Sequence, residues 1–76
     1  MLTITRYLDI SPRIAAERLA EATVSTPAPA DSQVRVGGID ELATVEIVVP
    51  WSTERREATA LAADRYATAL VASLAA

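Results

Sequence analysis

The sequence contains no histidine or cysteine, and it also lacks lysine, asparagine and phenylalanine. Without histidine, no side chain titrates near neutral pH in its ordinary state and no imidazole can bind a metal ion. Without cysteine there is no thiolate nucleophile, no cysteine-type zinc site and no disulfide. The carboxylates that remain for acid–base chemistry are not brought together by their spacing: Asp9, Asp40, Glu41 and Glu46. We therefore expect a protein that is not an enzyme and that binds no metal ion or cofactor.

The length and the apolar content point to association. With 76 residues the chain forms one domain at most, residues 1–76, in a size range where a single core gives marginal stability. Yet 51% of the residues are hydrophobic, and apolar surface that so small a domain cannot bury usually marks a contact. We therefore expect a homo-oligomer or a complex with a protein partner.

The net charge restricts the classes of partner that this protein can bind, and the lengths of its apolar stretches restrict where in the cell it can be located. A net charge of −3 disfavours nucleic acid as a partner, because binding to a duplex depends on neutralising its phosphates. The N-terminus does not show the pattern of a signal peptide, a charged region followed by an apolar stretch. The uncharged stretch 66–76 is too short to cross a bilayer. These features predict a soluble protein, cytoplasmic or virion-associated, that does not contact membranes.

A strand and a helix are predicted in the N-terminal half. Residues 2–10 alternate between apolar and polar, which indicates a half-buried strand, although Arg6 interrupts the apolar row. Ser11-Pro12 has the residue types favoured at the N-cap and first position of a helix, which we expect to run to about Thr23. The segment 25–32 carries two prolines and cannot continue the helix, so it is predicted to be a connector.

A hairpin and a long helix are predicted in the C-terminal half. Strands at 33–36 and 44–49 flank the segment 37–41, which is longer than a two-residue turn. Its two glycines do not form a phosphate-binding loop, because they join two strands and do not open a helix. One alanine-rich helix is predicted from Ser52 or Thr53 to the C-terminus. Its apolar face consists of six residues: Ala63, Tyr66, Ala67, Leu70, Val71 and Leu74.

The element order β-α-β-β-α predicts an α+β fold. The crossover between the first two strands makes them parallel, and the third strand is expected between them, antiparallel to both. This three-stranded sheet with two helices on one face resembles a ferredoxin-like fold without its last strand. The resemblance is architectural and implies no function. It leaves the edge of the first strand uncovered, and an open edge tends to pair with another strand.

Nine residues are candidates for the contact surface. Trp51, between the third strand and the long helix, is suited to anchor a partner or to fix the helix against the sheet. Arg55 and Arg56 lie in the first helical turn, where the macrodipole disfavours positive charge, so they either meet an acidic partner or are compensated by neighbouring glutamates. The other candidates lie on the open sheet face or on the long helix: Tyr7, Arg35, Leu61, Tyr66, Leu70 and Leu74.

Three functions remain open at this point. The first is a small non-enzymatic interaction module that self-associates as a structural or assembly component, a type common among phage virion and assembly proteins. The second is an inhibitor that binds a host complex, as an acidic decoy or in the manner of an anti-CRISPR protein. The third is a ferredoxin-like dimer that binds a small ligand between sheet and helices, with Arg6, Tyr7 and Tyr66 as convergent polar groups.

Overall fold

Three strands and two helices make up the computed structural model, which describes residues 1–51 and 53–75. The elements in chain order are β1 (Leu2–Leu8), α1 (Pro12–Ser25), β2 (Gln33–Ile39), β3 (Leu42–Val49), a short 3-10 turn (Thr53–Arg55) and α2 (Arg56–Ala75). The sheet order is β1-β3-β2, and β3 is antiparallel to both neighbours, so β1 and β2 are parallel to each other. The predicted α+β fold and its element order are confirmed.

Buried and more exposed residues alternate along the strands, and this alternation shows which face of the sheet the helices cover. On β3, Ala43, Val45, Ile47 and Val49 are buried beneath the helices, whereas the residues between them are only half-buried. The opposite face carries mostly polar residues: Thr3, Thr5, Tyr7, Gln33, Arg35, Thr44, Glu46 and Val48. Both helices therefore lie on one side, and the other side is open within the described part of the chain.

The first strand is shorter than predicted. It ends at Leu8, not at residue 10, because the chain bends there to enter α1. The Ile10 carbonyl still accepts a hydrogen bond from the Ala43 amide at 3.0 Å, so the bend stays attached to β3. As predicted, Ser11 is the N-cap: its hydroxyl accepts a hydrogen bond from the Ile14 amide at 3.2 Å.

Helix α1 packs through small residues. Its buried residues are Ala15 and Ala22, and the larger Ile14 beside them is partly exposed. Small side chains at a contact let a helix approach its neighbours closely. Arg18 adds a polar link, because its guanidinium donates to the Leu74 carbonyl at 2.7 Å. That carbonyl lies in the last turn of α2, where helix geometry leaves acceptors unpaired.

The hairpin between β2 and β3 is tighter than predicted. Gly37 and Gly38 remain in the sheet, and pairing continues to Ile39 opposite Leu42, so the turn has only two residues. Asp40 in the turn has φ +54°, a left-handed conformation that aspartate tolerates better than most residues. The predicted five-residue loop is therefore wrong: the glycines serve the strand, and Gly38 adopts φ +122° within it.

Helix α2 is the main support of the sheet. Its predicted apolar face is confirmed, since Ala63, Tyr66, Ala67, Leu70 and Leu74 are buried and Val71 is half-buried. The 3-10 turn Thr53–Arg55 leads into the helix, and α2 itself starts at Arg56. The predicted boundaries at residues 52 and 76 lie outside the described residues. The remainder of the core comes from β1, β3 and the two alanines of α1.

Candidate functional site

The nine candidate contact residues separate into a buried and an exposed group. Leu70 and Leu74 are fully buried, and Tyr66 is only 6% exposed, so all three belong to the core and offer no surface to a partner. A charged residue at any of these positions would disrupt the fold itself. The six remaining candidates are exposed: Tyr7, Arg35, Trp51, Arg55, Arg56 and Leu61.

The open sheet face is flat and polar, with one exposed aromatic ring. Tyr7 is 66% exposed there, opposite Thr44 in the register. Arg35 lies directly opposite Glu46 in the register, although within the described chain their side chains do not reach ion-pair distance. Tyr7 faces away from the helices while Tyr66 is buried beneath them. The polar groups expected to line a ligand pocket therefore do not converge.

The edge of β1 is regular over its whole length. Every residue from Leu2 to Leu8 has a partner in β3, without a bulge, and the strand contains no proline or glycine. No other described strand pairs with its outer side, because β1 is at the end of the sheet order. Its only charged residue is Arg6. Natural edge strands usually carry charges, prolines or bulges that block further pairing, and β1 has few of these protections.

The charge of Arg6 is neutralised by α2. The guanidinium Nη2 lies 2.7 Å from the Asp64 carboxylate oxygen Oδ1, and both side chains are only partly buried. The apolar row of β1 is interrupted at Arg6 because this side chain reaches over to the helix. The alternation in the sequence shows that Arg6 is unusual at its position in the strand. It does not identify Asp64 as the partner, because Asp64 is 58 residues away and no local pattern marks it.

Asp64 also fixes which flank of α2 lies beside the edge of β1. Residues three, four and seven positions from Asp64 follow the same stripe along a helix. This Asp64 stripe comprises Leu61, Asp64, Thr68 and Val71. Leu61 is 53% exposed, and Val71 is half-buried against the core. The exposed Leu61 thus shares a flank with the open strand.

The opposite edge of the sheet is built differently. There β2 carries Arg35 and the two glycines, and Gly38 at φ +122° departs from regular strand geometry. A Cβ atom built on Gly38 would lie 2.2 Å from the Leu42 carbonyl oxygen, so no other residue fits without a shift. Local distortion of this kind hinders pairing with another strand. Of the two edges, β1 is the better suited to add a strand.

A groove lies at the other end of β3, where the chain enters α2. It has a volume of about 410 Å³ and a mostly apolar lining that includes Pro29, Pro50, Trp51 and Ala58, with Arg55 at its polar side. The Arg56 guanidinium stacks over the Trp51 ring, 4.8 Å from its centroid, which orients both residues. Among the described residues, neither Arg55 nor Arg56 forms an ion pair with the neighbouring glutamates.

The buried phenol of Tyr66 is an isolated polar group. Its hydroxyl has no hydrogen-bond partner within the described part of the molecule. Burial disfavours the phenolate and raises the pKa of Tyr66 above its ordinary value. Tyr66 lines neither the groove nor the small polar hollow near Arg18, so it has the character of a core residue and not of a binding group.

Carboxylates are spread over the whole molecule. They occur on α1, β3, α2, the connector and the hairpin turn, and residues 1–51 and 53–75 hold no cluster of three acidic side chains suited to a metal ion. Neither described helix has the length and apolar character needed to cross a membrane. Comparisons with protein-family models, with characterised proteins and with solved structures found no match.

Proposed function

We propose that this protein is a small interaction module that self-associates through the edge of β1, and that it acts as a structural or assembly component. Two copies pair their β1 strands antiparallel about a two-fold axis. The two three-stranded sheets then form one continuous sheet in the order β2-β3-β1-β1-β3-β2. Such an interface is isologous, because each copy contributes the same surface.

The observation that carries this proposal is the contrast between the two edges of the sheet. The outer side of β1 is regular and unpaired, and its one charge is directed to Asp64 on α2. The outer side of β2 is distorted at Gly38. An approaching strand therefore finds a row of main-chain donors and acceptors on β1 without a free charge among them.

The Asp64 stripe supplies the apolar part of the interface. Seven strand residues extend about 23 Å, and main-chain pairing over that length buries less than the roughly 1,000 Å² expected of a specific interface. Pairing of the β1 edges brings the two copies of α2 side by side on the same face of the joined sheet. Leu61 and Val71 of each copy then meet the equivalent stripe of the other, which adds apolar area.

Sedimentation equilibrium at micromolar concentration tests this interface with two matched variants. Thr3→Lys/Thr5→Lys places two added charges on the edge strand, where they meet their symmetry mates. Thr44→Lys/Val48→Lys adds the same charge to the same sheet face, but on the central strand. All four positions lie on the open face, so both variants are expected to fold.

We expect the unmodified protein and the central-strand variant to be dimers, and the edge variant to be a monomer that still unfolds cooperatively, with a thermal midpoint that does not depend on protein concentration. An unmodified protein that remains monomeric across the concentration range contradicts the proposal. Equal loss of the dimer in both variants would assign the contact to the open face of the sheet and would also reject the edge interface.

A further inference from the structure

The turn of the hairpin is an exposed point with both apolar and acidic character. Ile39 and Leu42, which pair at the end of the strands, are 77% and 46% exposed. Between them lie Asp40 and Glu41, both exposed. The two-residue turn holds these four side chains on a short, well-defined scaffold. Little conformational freedom is then lost when they are bound, and preorganisation of this kind favours binding.

The groove beside Trp51 has the complementary properties. Its floor and walls are mainly proline, alanine, valine and tryptophan, and Arg55 lines it with no ion-pair partner among the described residues. A cavity of about 150 Å³ is enough for a benzene-sized group. A groove of about 410 Å³ therefore has room for two aliphatic side chains such as Ile39 and Leu42.

The hairpin turn and the groove of the same chain cannot meet. They lie at opposite ends of β3, which runs from Leu42 beside the turn to Val49 in the groove lining. Eight strand residues separate the two ends by more than about 20 Å. Any contact between these two surfaces must therefore join different copies of the chain.

We propose that the hairpin turn of one copy docks in the Trp51 groove of a second copy, with Ile39 and Leu42 against the apolar lining and Glu41 beside Arg55. The match is one of charge and of apolar surface: two aliphatic residues and two carboxylates meet an apolar groove that is lined by Arg55, and the Arg56 guanidinium stacks over the ring of Trp51 in that lining. The contact is heterologous, head to tail, and it produces open chains or closed rings. It is separate from the β1 edge and does not rest on the dimer proposed above.

Charge reversal on each side of the contact tests this proposal. The experiments use the Thr3→Lys/Thr5→Lys background, so that pairing of β1 edges does not contribute to the measured mass. Glu41→Arg reverses the turn, and Arg55→Glu reverses the groove. Glu41 is chosen over Asp40, because the left-handed backbone of Asp40 would strain a longer side chain. Glu17→Arg, on the exposed side of α1, is the control for a change of net charge.

The parent background is a monomer at micromolar concentration, and from there up to millimolar concentration we expect a weight-average mass that rises with concentration and falls back as salt is added. Glu41→Arg and Arg55→Glu each oppose like charges and weaken the association at least tenfold, whereas Glu17→Arg leaves it unchanged. An equimolar mixture of Glu41→Arg and Arg55→Glu regains the association, because every turn then finds a groove of opposite charge in the other variant. Thermal unfolding checks that each variant is folded. If Glu41→Arg does not fold, Glu41→Gln takes its place, and if Arg55→Glu does not fold, Arg55→Gln takes its place.

Two results would overturn the proposal. The first is a mixture of folded variants that associates no better than either variant alone. The second is a parent protein that keeps its monomer mass up to millimolar concentration, in which case the groove is left to an acidic segment of a different protein. If either result is obtained and the unmodified chain is still a dimer through the β1 edge, the contact between hairpin turn and groove is rejected and the β1-edge interface is retained.

Discussion

Arg6 and Asp64 join the open edge of the sheet to the long helix through an ion pair of 2.7 Å between residues 58 positions apart. The pair has two consequences for the edge. It holds the flank of α2 beside β1, and it neutralises the one charge that the strand carries. Edge strands are commonly protected by a charged residue that would be buried without a partner if another strand paired with them. Arg6 is such a residue on β1, but Asp64 neutralises its charge and so removes this barrier to pairing.

Replacing Asp64 by Asn is expected to weaken the dimer more than the fold. The ion pair is partly exposed to solvent, so its loss lowers the free energy of unfolding by less than about 1 kcal/mol. In the dimer, however, two uncompensated Arg6 charges lie close to the joined strands. We expect the dimer dissociation constant to rise about tenfold, or about 1.4 kcal/mol, as measured by sedimentation equilibrium.

Glu17→Gln provides the matched control for this prediction. It removes the same charge and breaks the other ion pair of the described chain, between Arg13 and Glu17 at 3.3 Å on the exposed side of α1. Its dissociation constant is expected to equal that of the unmodified protein. If the two variants weaken the dimer equally, the effect is one of net charge and Asp64 has no particular role at the edge.

The two glycines of the hairpin are expected to differ sharply on substitution by alanine. Gly38 has φ +122°, and a Cβ atom there would lie 2.2 Å from the Leu42 carbonyl oxygen, so Gly38→Ala should lower the free energy of unfolding by about 2 kcal/mol. At Gly37 the nearest atom to such a Cβ is the Thr44 hydroxyl at 3.6 Å, an ordinary contact. Gly37→Ala should change stability by less than about 0.5 kcal/mol. Urea unfolding of both variants measures the difference, and equal effects would contradict it.

Tyr66→Phe is expected to stabilise the protein and to alter its response to alkali. The substitution removes a buried hydroxyl without a partner among the described residues, which should raise the free energy of unfolding by about 1 kcal/mol at neutral pH. Because burial raises the pKa of Tyr66, the unfolded chain loses the phenolic proton first as the pH passes about 10. The unmodified protein therefore loses stability with rising pH in that range.

Urea unfolding between about pH 8 and pH 11 checks both parts of the Tyr66 prediction. Tyr66→Phe should show a smaller loss of stability above about pH 10 than the unmodified protein. Tyr7→Phe is the control, because it makes the same substitution at a ring that is 66% exposed on the open face. If Tyr66→Phe follows the same pH dependence as the unmodified chain, the phenol is not shielded from solvent in the folded state.

The parts of the fold that sequence predicts well are those with local causes. The alternation from Leu2 to Leu8 and the Ser11 cap each depend on neighbouring residues, and both are found in the structure. The two-residue hairpin turn is not predicted, because glycine is typical of turns, whereas Gly38 is needed here for a close approach within the strand. A sequence pattern does not distinguish these two uses of glycine.

The contact surface depends on relationships that a sequence pattern does not contain. The apolar face of α2 is clear from its periodicity, but only the packed structure shows that Leu70 and Leu74 are covered by the chain's own sheet. The stacking of Arg56 on Trp51 depends on the bend that leads into α2. The assignment of Leu61 to the flank of β1 follows from the pairing of Arg6 with Asp64, which is visible only in three dimensions.

The hydrogen bond from Arg18 to the Leu74 carbonyl determines how the C-terminal part of the described chain opens. Terminal helical turns usually fray, and their amides then exchange with solvent independently of global unfolding. Here the last turn of α2 is bound to α1, 56 residues earlier in the chain, and Leu74 is buried beneath it. Fraying would break a charged hydrogen bond and expose a core leucine in the same step. The end of α2 therefore belongs to the same cooperative unit as the sheet.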